Sequence, residues 1–161
     1  MKQKPSISHD FQSLKEHLSG HGLKVTSQRL VIYQALLQTE EHPSAEKIFE
    51  KISQEHPSIS LATVYKTLET LVESGLAKKV KTANDLLRFD AKTGNHNHLY
   101  CSNTDQIIDF DDPELQTILE GYFAKKKFQN FKVNDFQLQV NGEILDKDKQ
   151  IKLKKYHFPL S

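Results

Sequence analysis

The residue types best suited to chemistry gather in one span, RFDAKTGNHNHLYCSNTDQIIDF, residues 88–110. It holds His96 and His98 one residue apart, Asp90 near one end, Asp109 near the other, and Cys101, the only cysteine of the chain. Imidazoles and carboxylates at this density suit a divalent cation, whereas a thiol would suit a nucleophile or a soft metal. Side chains alternate along an extended strand, so His96 and His98 point one way and Cys101 the other. Asp109 lies between Ile108 and Phe110, an inward-reading position where a carboxylate without a partner is costly. The count is two imidazoles and two carboxylates, with His42 available from the first half of the chain. The plain alternative is a polar hairpin with two hydrogen-bonded surface histidines and Cys101 as a small buried residue.

One cysteine can close neither an internal disulfide nor a CxxC…CxxC zinc site, so any metal here is held by nitrogen and oxygen. Such a donor set suits Fe(II) or Mn(II). Zn(II) would bind it at least as tightly in vitro, which leaves selectivity to availability and geometry. His17 and His21 share a helical spacing, but His21 sits between glycines with no carboxylate beside it. His9, His56 and His157 take the same plain reading, as histidines without a metal role.

The elements that must position these residues can be read from caps and breaks. Phe11, Leu14 and Leu18 mark a first helix, stopped by Gly20 and Gly22. Thr26 or Ser27 caps a second, with Leu30, Ile32, Tyr33, Leu36 and Leu37 on its apolar face. His42-Pro43 breaks the chain, because the residue before proline is pushed out of helical conformation. Ser44 caps a third helix carrying Ile48, Phe49 and Ile52, and Ser60 caps a fourth, LATVYKTLETLVES, closed by Gly75. The runs LAKKVKT and LLRFDA then form a hairpin turning near Asn84 and Asp85. Short helices, one longer capped helix and a hairpin are the order of a winged helix-turn-helix.

The second half differs. NHLYCS and QIIDF read as strands around SNTD, Asp112-Pro113 opens a helix, and FKVNDFQLQV reads as a strand turned at Asn141-Gly142. The expectation is an α+β chain, with an N-terminal winged-helix domain over residues 1–88 and a small α/β domain over 89–161. The latter is thin in apolar residues, and pairing with a second copy is the natural remedy.

Composition sets the outer limits. Over 161 residues, 37% are hydrophobic and 27% charged, and no apolar run nears the roughly 20 residues of a membrane helix. The start, MKQKPSISHDFQ, lacks an apolar core behind its lysines, so a cytoplasmic protein is expected. Net charge is +1 and evenly spread, so a nucleic-acid reading must rest on local geometry. The fourth helix supplies it. Its first turns present Ser60, Thr63, Tyr65 and Lys66, while Leu61, Val64, Leu68 and Leu71 can face a core. In a major groove Tyr65 could lie against a thymine methyl, and Lys66 could reach a guanine edge or a phosphate. The alternative is an amphipathic helix with a solvated polar face.

The segments GLKVTSQR, HPSAEKIF, SLATVYKTLETLVESGL, RFD, HNHLYC and IIDF resemble, in order and spacing, the ferric uptake regulator superfamily, over nearly all of residues 10–144. The resemblance implies a winged-helix DNA-binding domain, a C-terminal dimerisation domain, a regulatory metal between them, double-stranded operator DNA as partner, and no enzymatic activity. It further implies His42, Asp90, His96, His98 and Asp109 as the metal ligands and Lys24 as a minor-groove probe, with Tyr65 and Lys66 in the recognition helix. Aspartate at 90 and 109, where iron-sensing members more often carry glutamate, resembles the peroxide-sensing branch. In that branch a ligand histidine, here His42 or His96, is oxidised and both metal and DNA are released. An iron-responsive repressor is the alternative. A non-haem iron enzyme fits less well, since five protein ligands leave little open coordination. Most relatives hold a structural zinc in two CxxC pairs; here Cys101 matches the first position, Thr104 the second, and Ile144 and Lys147 fall near the others. No structural zinc is expected.

Overall fold

Local side-chain chemistry starts each helix of the first half. In this computed structural model, which describes residues 10–39, 42–82, 85–94, 96–149 and 151, α1 (Phe11–Gly20) is capped by Asp10 and α2 (Ser27–Leu37) by Thr26. Ser44 caps α3 (Ala45–Ser53) and Ser60 caps α4 (Leu61–Glu73). Each cap accepts an amide proton the first turn would otherwise leave unpaired, worth about 1 kcal/mol. Past α4, Gly75 adopts φ +79, which glycine takes without steric cost, and the Leu76 amide returns to the Leu71 carbonyl at 2.8 Å.

The four helices enclose one core that includes Leu14, Ile32, Ile48, Val64, Leu68 and Phe89, all fully buried. Phe11, read as part of the α1 stripe, is exposed, and Leu61 is only half-buried. Both are first residues of their helices, where the chain is still entering the bundle. β1 (Lys78–Lys81) and β2 (Leu87–Asp90) pair antiparallel, Lys78 opposite Asp90. Of their connection, residues 83 and 84 lie outside the described residues, and Asp85 takes a left-handed conformation, φ +56.

The second sheet runs β4-β3-β5. β3 (Asn97–Cys101) pairs antiparallel with β4 (Gln106–Phe110), and β5 (Gln139–Gly142) lies parallel on its other side. α5 (Pro113–Lys125) connects them, with Asp112 as its cap and proline in the first turn.

The stretch read as a strand over 131–140 is a correction. Only Gln139–Gly142 is strand, and Asn141-Gly142 lies inside it rather than turning it. Apolar parity explains this: Phe131 and Val133 are odd, Phe136, Leu138 and Val140 even. The phase flips at Asn134-Asp135, so no single strand can present both sets to one face. Phe136 stacks instead on Phe123 of α5, ring centroids 5.6 Å apart.

Two contacts brace the β3–β4 turn. The Asn103 side chain donates to the Ile144 carbonyl at 2.9 Å and accepts from the Ile144 amide at 3.1 Å. This ties the β3–β4 turn to the segment that follows β5. Arg88 of β2 pairs with Asp105 at 2.6 Å, and the Tyr100 hydroxyl donates to the same carboxylate at 3.0 Å. Val80 of β1 also packs with Tyr100 and Ile107, so the hairpin of the first half rests on the sheet of the second.

Candidate metal centre

Three backbone arrangements bring five side chains together. The Phe89 amide donates to the Pro43 carbonyl at 2.9 Å, which lays residues 42–43 along the end of β2 and sets His42 beside Asp90. The β3–β4 register places His98 directly opposite Asp109. His96 precedes β3 by one residue, and its ring lies 4.7 Å from that of His98. One nitrogen or oxygen from each of His42, Asp90, His96, His98 and Asp109 falls within 4.8 Å of all the others.

Each carboxylate has one oxygen committed and one turned inward. Asp90 Oδ1 accepts from the Lys92 amide at 2.7 Å, and Asp109 Oδ2 is paired with the Lys92 ammonium. The remaining oxygens face the imidazoles. His96 Nε2 lies 2.8 Å from Asp90 Oδ2, and His42 Nε2 lies 3.0 Å from Asp109 Oδ1 and 3.4 Å from Asp90 Oδ2. His98 Nε2 stands 3.6 and 3.8 Å from the same two oxygens.

The tautomers matter. His96 Nδ1 donates to the Gly94 carbonyl at 2.8 Å, so the neutral ring turns the lone pair of Nε2 toward the Asp90 oxygen. Two lone pairs facing each other need a proton or a cation between them. His42 Nε2, His98 Nε2 and Asp109 Oδ1 are buried and make no hydrogen bond. Buried polar atoms without partners are rare, and here three converge on one point. Ligand atoms around a divalent ion at about 2.1 Å sit about 3 Å apart when adjacent, which matches these separations. The donor set, three imidazole nitrogens and two carboxylate oxygens, fits Fe(II), Mn(II) or Zn(II).

Three contributors had no sequence signal of their own. The Gly94 contact is a backbone one, and Lys92 shows only as a cation two residues from Asp90. The Gln137 side-chain amide lies 3.2 Å from His98 Nδ1. Turned with its oxygen toward the ring, it would accept from Nδ1–H and leave Nε2 free to ligate, the usual outer support of a metal-bound histidine. Cys101 lies outside the cluster, on β3 with its side chain buried, and burial pushes its thiol pKa up, which makes it a poor nucleophile.

Without a metal, a proton can take the cation's place. Burial opposes a charged imidazolium at His42, but the carboxylates of Asp109 and Asp90 outweigh it and raise its pKa to about 9. Burial likewise opposes ionisation of Asp90, yet His42 and His98 hold it well below the usual carboxylate range. Asp109, against the same burial, is drawn down to about 2 by His42 and Lys92. A histidine pKa raised above its unfolded value of 6.5 contributes stability fully present below that pH and lost as pH rises to about 9. The carboxylates act oppositely, contributing above about pH 4 and less as pH falls further. Chelator-treated protein should therefore be most stable between about pH 4 and 6.5 and lose up to about 3 kcal/mol by pH 9. Urea unfolding at pH 6 and pH 9 measures this. His42→Ala should flatten the difference, and an equal loss in that variant would assign it to other groups.

The residues expected to meet DNA lie on the first half. Lys24 is exposed ahead of α2, and its carbonyl accepts from Arg29 at 2.8 Å. Ser60 and Thr63 are engaged with each other at the start of α4, the Ser60 hydroxyl accepting the Thr63 amide at 3.1 Å. Tyr65 and Lys66 are exposed on the next turn.

Four capped helices followed by a two-stranded hairpin, with a second sheet and a His/Asp cluster at the junction, define a winged-helix protein of α+β class. The chain belongs to the ferric uptake regulator family, whose model matches residues 20–141. It is 34% identical over 137 residues to the peroxide-responsive repressor PerR of Staphylococcus aureus, spanning 85% of this chain and 90% of that one. The peroxide stress regulator of Campylobacter jejuni superposes with a TM-score of 0.63 at 31% identity, over 84% of this chain and 96% of that one. The ferric uptake regulator of Pseudomonas aeruginosa, solved with manganese, superposes with a TM-score of 0.70 at 28% identity, over 82% and 98%.

Proposed function

We propose that this protein is a dimeric, metal-dependent transcriptional repressor that releases operator DNA in response to hydrogen peroxide. The observation that carries the reading is the convergence of His42, Asp90, His96, His98 and Asp109, without a thiolate, across the junction of the two halves. We divide the chain after residue 88 into a DNA-binding part and a dimerisation part. His42 then lies in the first, Asp90 just past the boundary at the end of β2, and His96, His98 and Asp109 deeper in the second. Held together, these side chains fix the hinge. Two recognition helices, one per protomer, then stand at one separation and match half-sites spaced by whole helical turns. When the ligands part, that separation is no longer set, and affinity falls by population shift.

Fe(II), held by these five side chains, would activate peroxide beside them, the two electrons that cleave the O–O bond coming in the net reaction from an imidazole. His42 and His96 are the side chains we place in the path of that chemistry. The imidazole gains one oxygen atom, peroxide leaves as water, and the oxidised ring is a poorer donor. A polar cavity of about 480 Å³, lined by His42, Lys47, Arg88, Thr104 and Gln106 among others, gives a small polar oxidant room beside His42. Mn(II) in the same site would hold the repressor on DNA without that reaction, and Zn(II) would serve in vitro. Val140 of β5, Leu145 and Ile151 are exposed apolar residues beside the sheet edge, which supports burial against a second copy. Among the described residues no helix is long and apolar enough to cross a membrane, and the repressor reading carries a cytoplasmic location with it.

The test is DNA binding with no metal, with Mn(II), and with Fe(II) before and after peroxide, followed by mass spectrometry. We expect binding with either metal, loss with Fe(II) after peroxide, and one added oxygen on His42 or His96. Cys101→Ser should behave the same. Release without an oxidised histidine would favour an iron-responsive repressor, and a Cys101→Ser protein deaf to peroxide would indicate a thiol sensor.

A further inference from the structure

Tyr65 does not face outward unattached. It lies on the second turn of α4, and its hydroxyl donates to Oε1 of Glu46, in the first turn of α3. The ring remains more than a third exposed. A phenol has one proton; given to Glu46, it leaves the oxygen able only to accept. Glu46 is itself exposed and ionised, with its pKa lowered first by this bond. A carboxylate on the face that meets phosphates is electrostatically unfavourable, so any contribution it makes to binding must come through what it holds.

We propose that Glu46 is a positioning residue that sets the base preference of Tyr65, by consuming the one proton with which the phenol could donate to DNA. The proposal rests on the DNA-binding reading above. In the major groove guanine presents two acceptors, N7 and O6; thymine presents a methyl group and one acceptor; adenine N6 and cytosine N4 donate. A phenol that can only accept meets guanine acceptor to acceptor. It can still lay its ring on a thymine methyl or accept from adenine or cytosine. The pair Glu46–Tyr65 therefore reads against guanine.

The experiment uses the full chain with Mn(II) and an operator selected from a randomised duplex library. Tyr65→Ala locates the base position that Tyr65 reads, as the one whose preference changes. Affinities for all four bases there are then compared in the wild type, Glu46→Ala and Glu46→Gln. The wild type should disfavour guanine by about five- to tenfold, the worth of one hydrogen bond made or opposed. Glu46→Ala frees the proton and should abolish that discrimination. Glu46→Gln offers an amide oxygen to the same proton and should keep it. Loss of a negative charge alone would change all four affinities together and leave their ratios fixed, which would overturn the proposal. So would a Tyr65→Ala protein with an unchanged preference at every position. If the wild type selects no DNA with Mn(II), the repressor reading fails and this proposal fails with it.

Discussion

His98→Ala will weaken Mn(II) binding by roughly a hundredfold or more, at or beyond the upper end of what losing an outer-shell partner costs. His98 is among the most completely enclosed polar residues in the cluster, with 1% of its surface exposed, and its Nε2 has no hydrogen-bond partner. Its place on β3, opposite Asp109, means that the ring cannot be replaced from elsewhere by a small movement. Without it the two inward carboxylate oxygens keep His42 and His96 but lose the nitrogen supplied from the sheet. Gln137→Ala should be milder, about tenfold, because Gln137 only orients the ring. Calorimetric titration of chelator-treated protein gives both values, and circular dichroism checks that the fold persists. Affinity within threefold of the wild type in His98→Ala would mean that the converging atoms are an ion-pair cluster with a purely architectural role.

The comparison of those two residues shows where the sequence is informative. His98 and Asp109 could be paired on paper, because a four-residue turn between short strands leaves little freedom of register. The starts of the third and fourth helices were equally plain, since Ser44 and Ser60 each cap their own next turn; Thr26 was one of two candidates for the second, and Asp10 caps the first without having been singled out. Such signals are local and survive being read one segment at a time. His42 is different. Nothing in its spacing ties it to residue 90; the tie is a single backbone hydrogen bond between Pro43 and Phe89, and only the family resemblance had placed it there. Gln137 was out of reach for another reason. The alternation FKVNDFQLQV hides a phase change at Asn134-Asp135, and a strand read straight through that change points Gln137 nowhere in particular. Tyr65 could be placed on the turn expected to meet DNA, but its bond to Glu46 joins residues nineteen apart on two helices.

Phe89→Ala will destabilise the chain by about 3–5 kcal/mol, the usual range for removing a large buried aromatic. Phe89 is fully buried in the core of the four helices although it comes from β2, so it is the side chain by which the hairpin is anchored to the bundle. At this chain length the loss corresponds to a fall of about 10 °C or more in melting temperature. Phe89→Leu, which refills most of the volume, should cost about 1 kcal/mol. The backbone hydrogen bond that sets His42 beside Asp90 uses the Phe89 amide, not its ring, so the folded variant should keep the five converging side chains together. Saturating Mn(II) should then restore part of what the cavity removes, about 2.7 kcal/mol at a hundred times the dissociation constant. Thermal unfolding with and without Mn(II) separates the two effects. A melting temperature unchanged by the substitution would remove Phe89 as the anchor. A variant that folds but gains nothing from Mn(II), where the wild type gains, would show that the ring and not the amide holds the two sides of the centre in place.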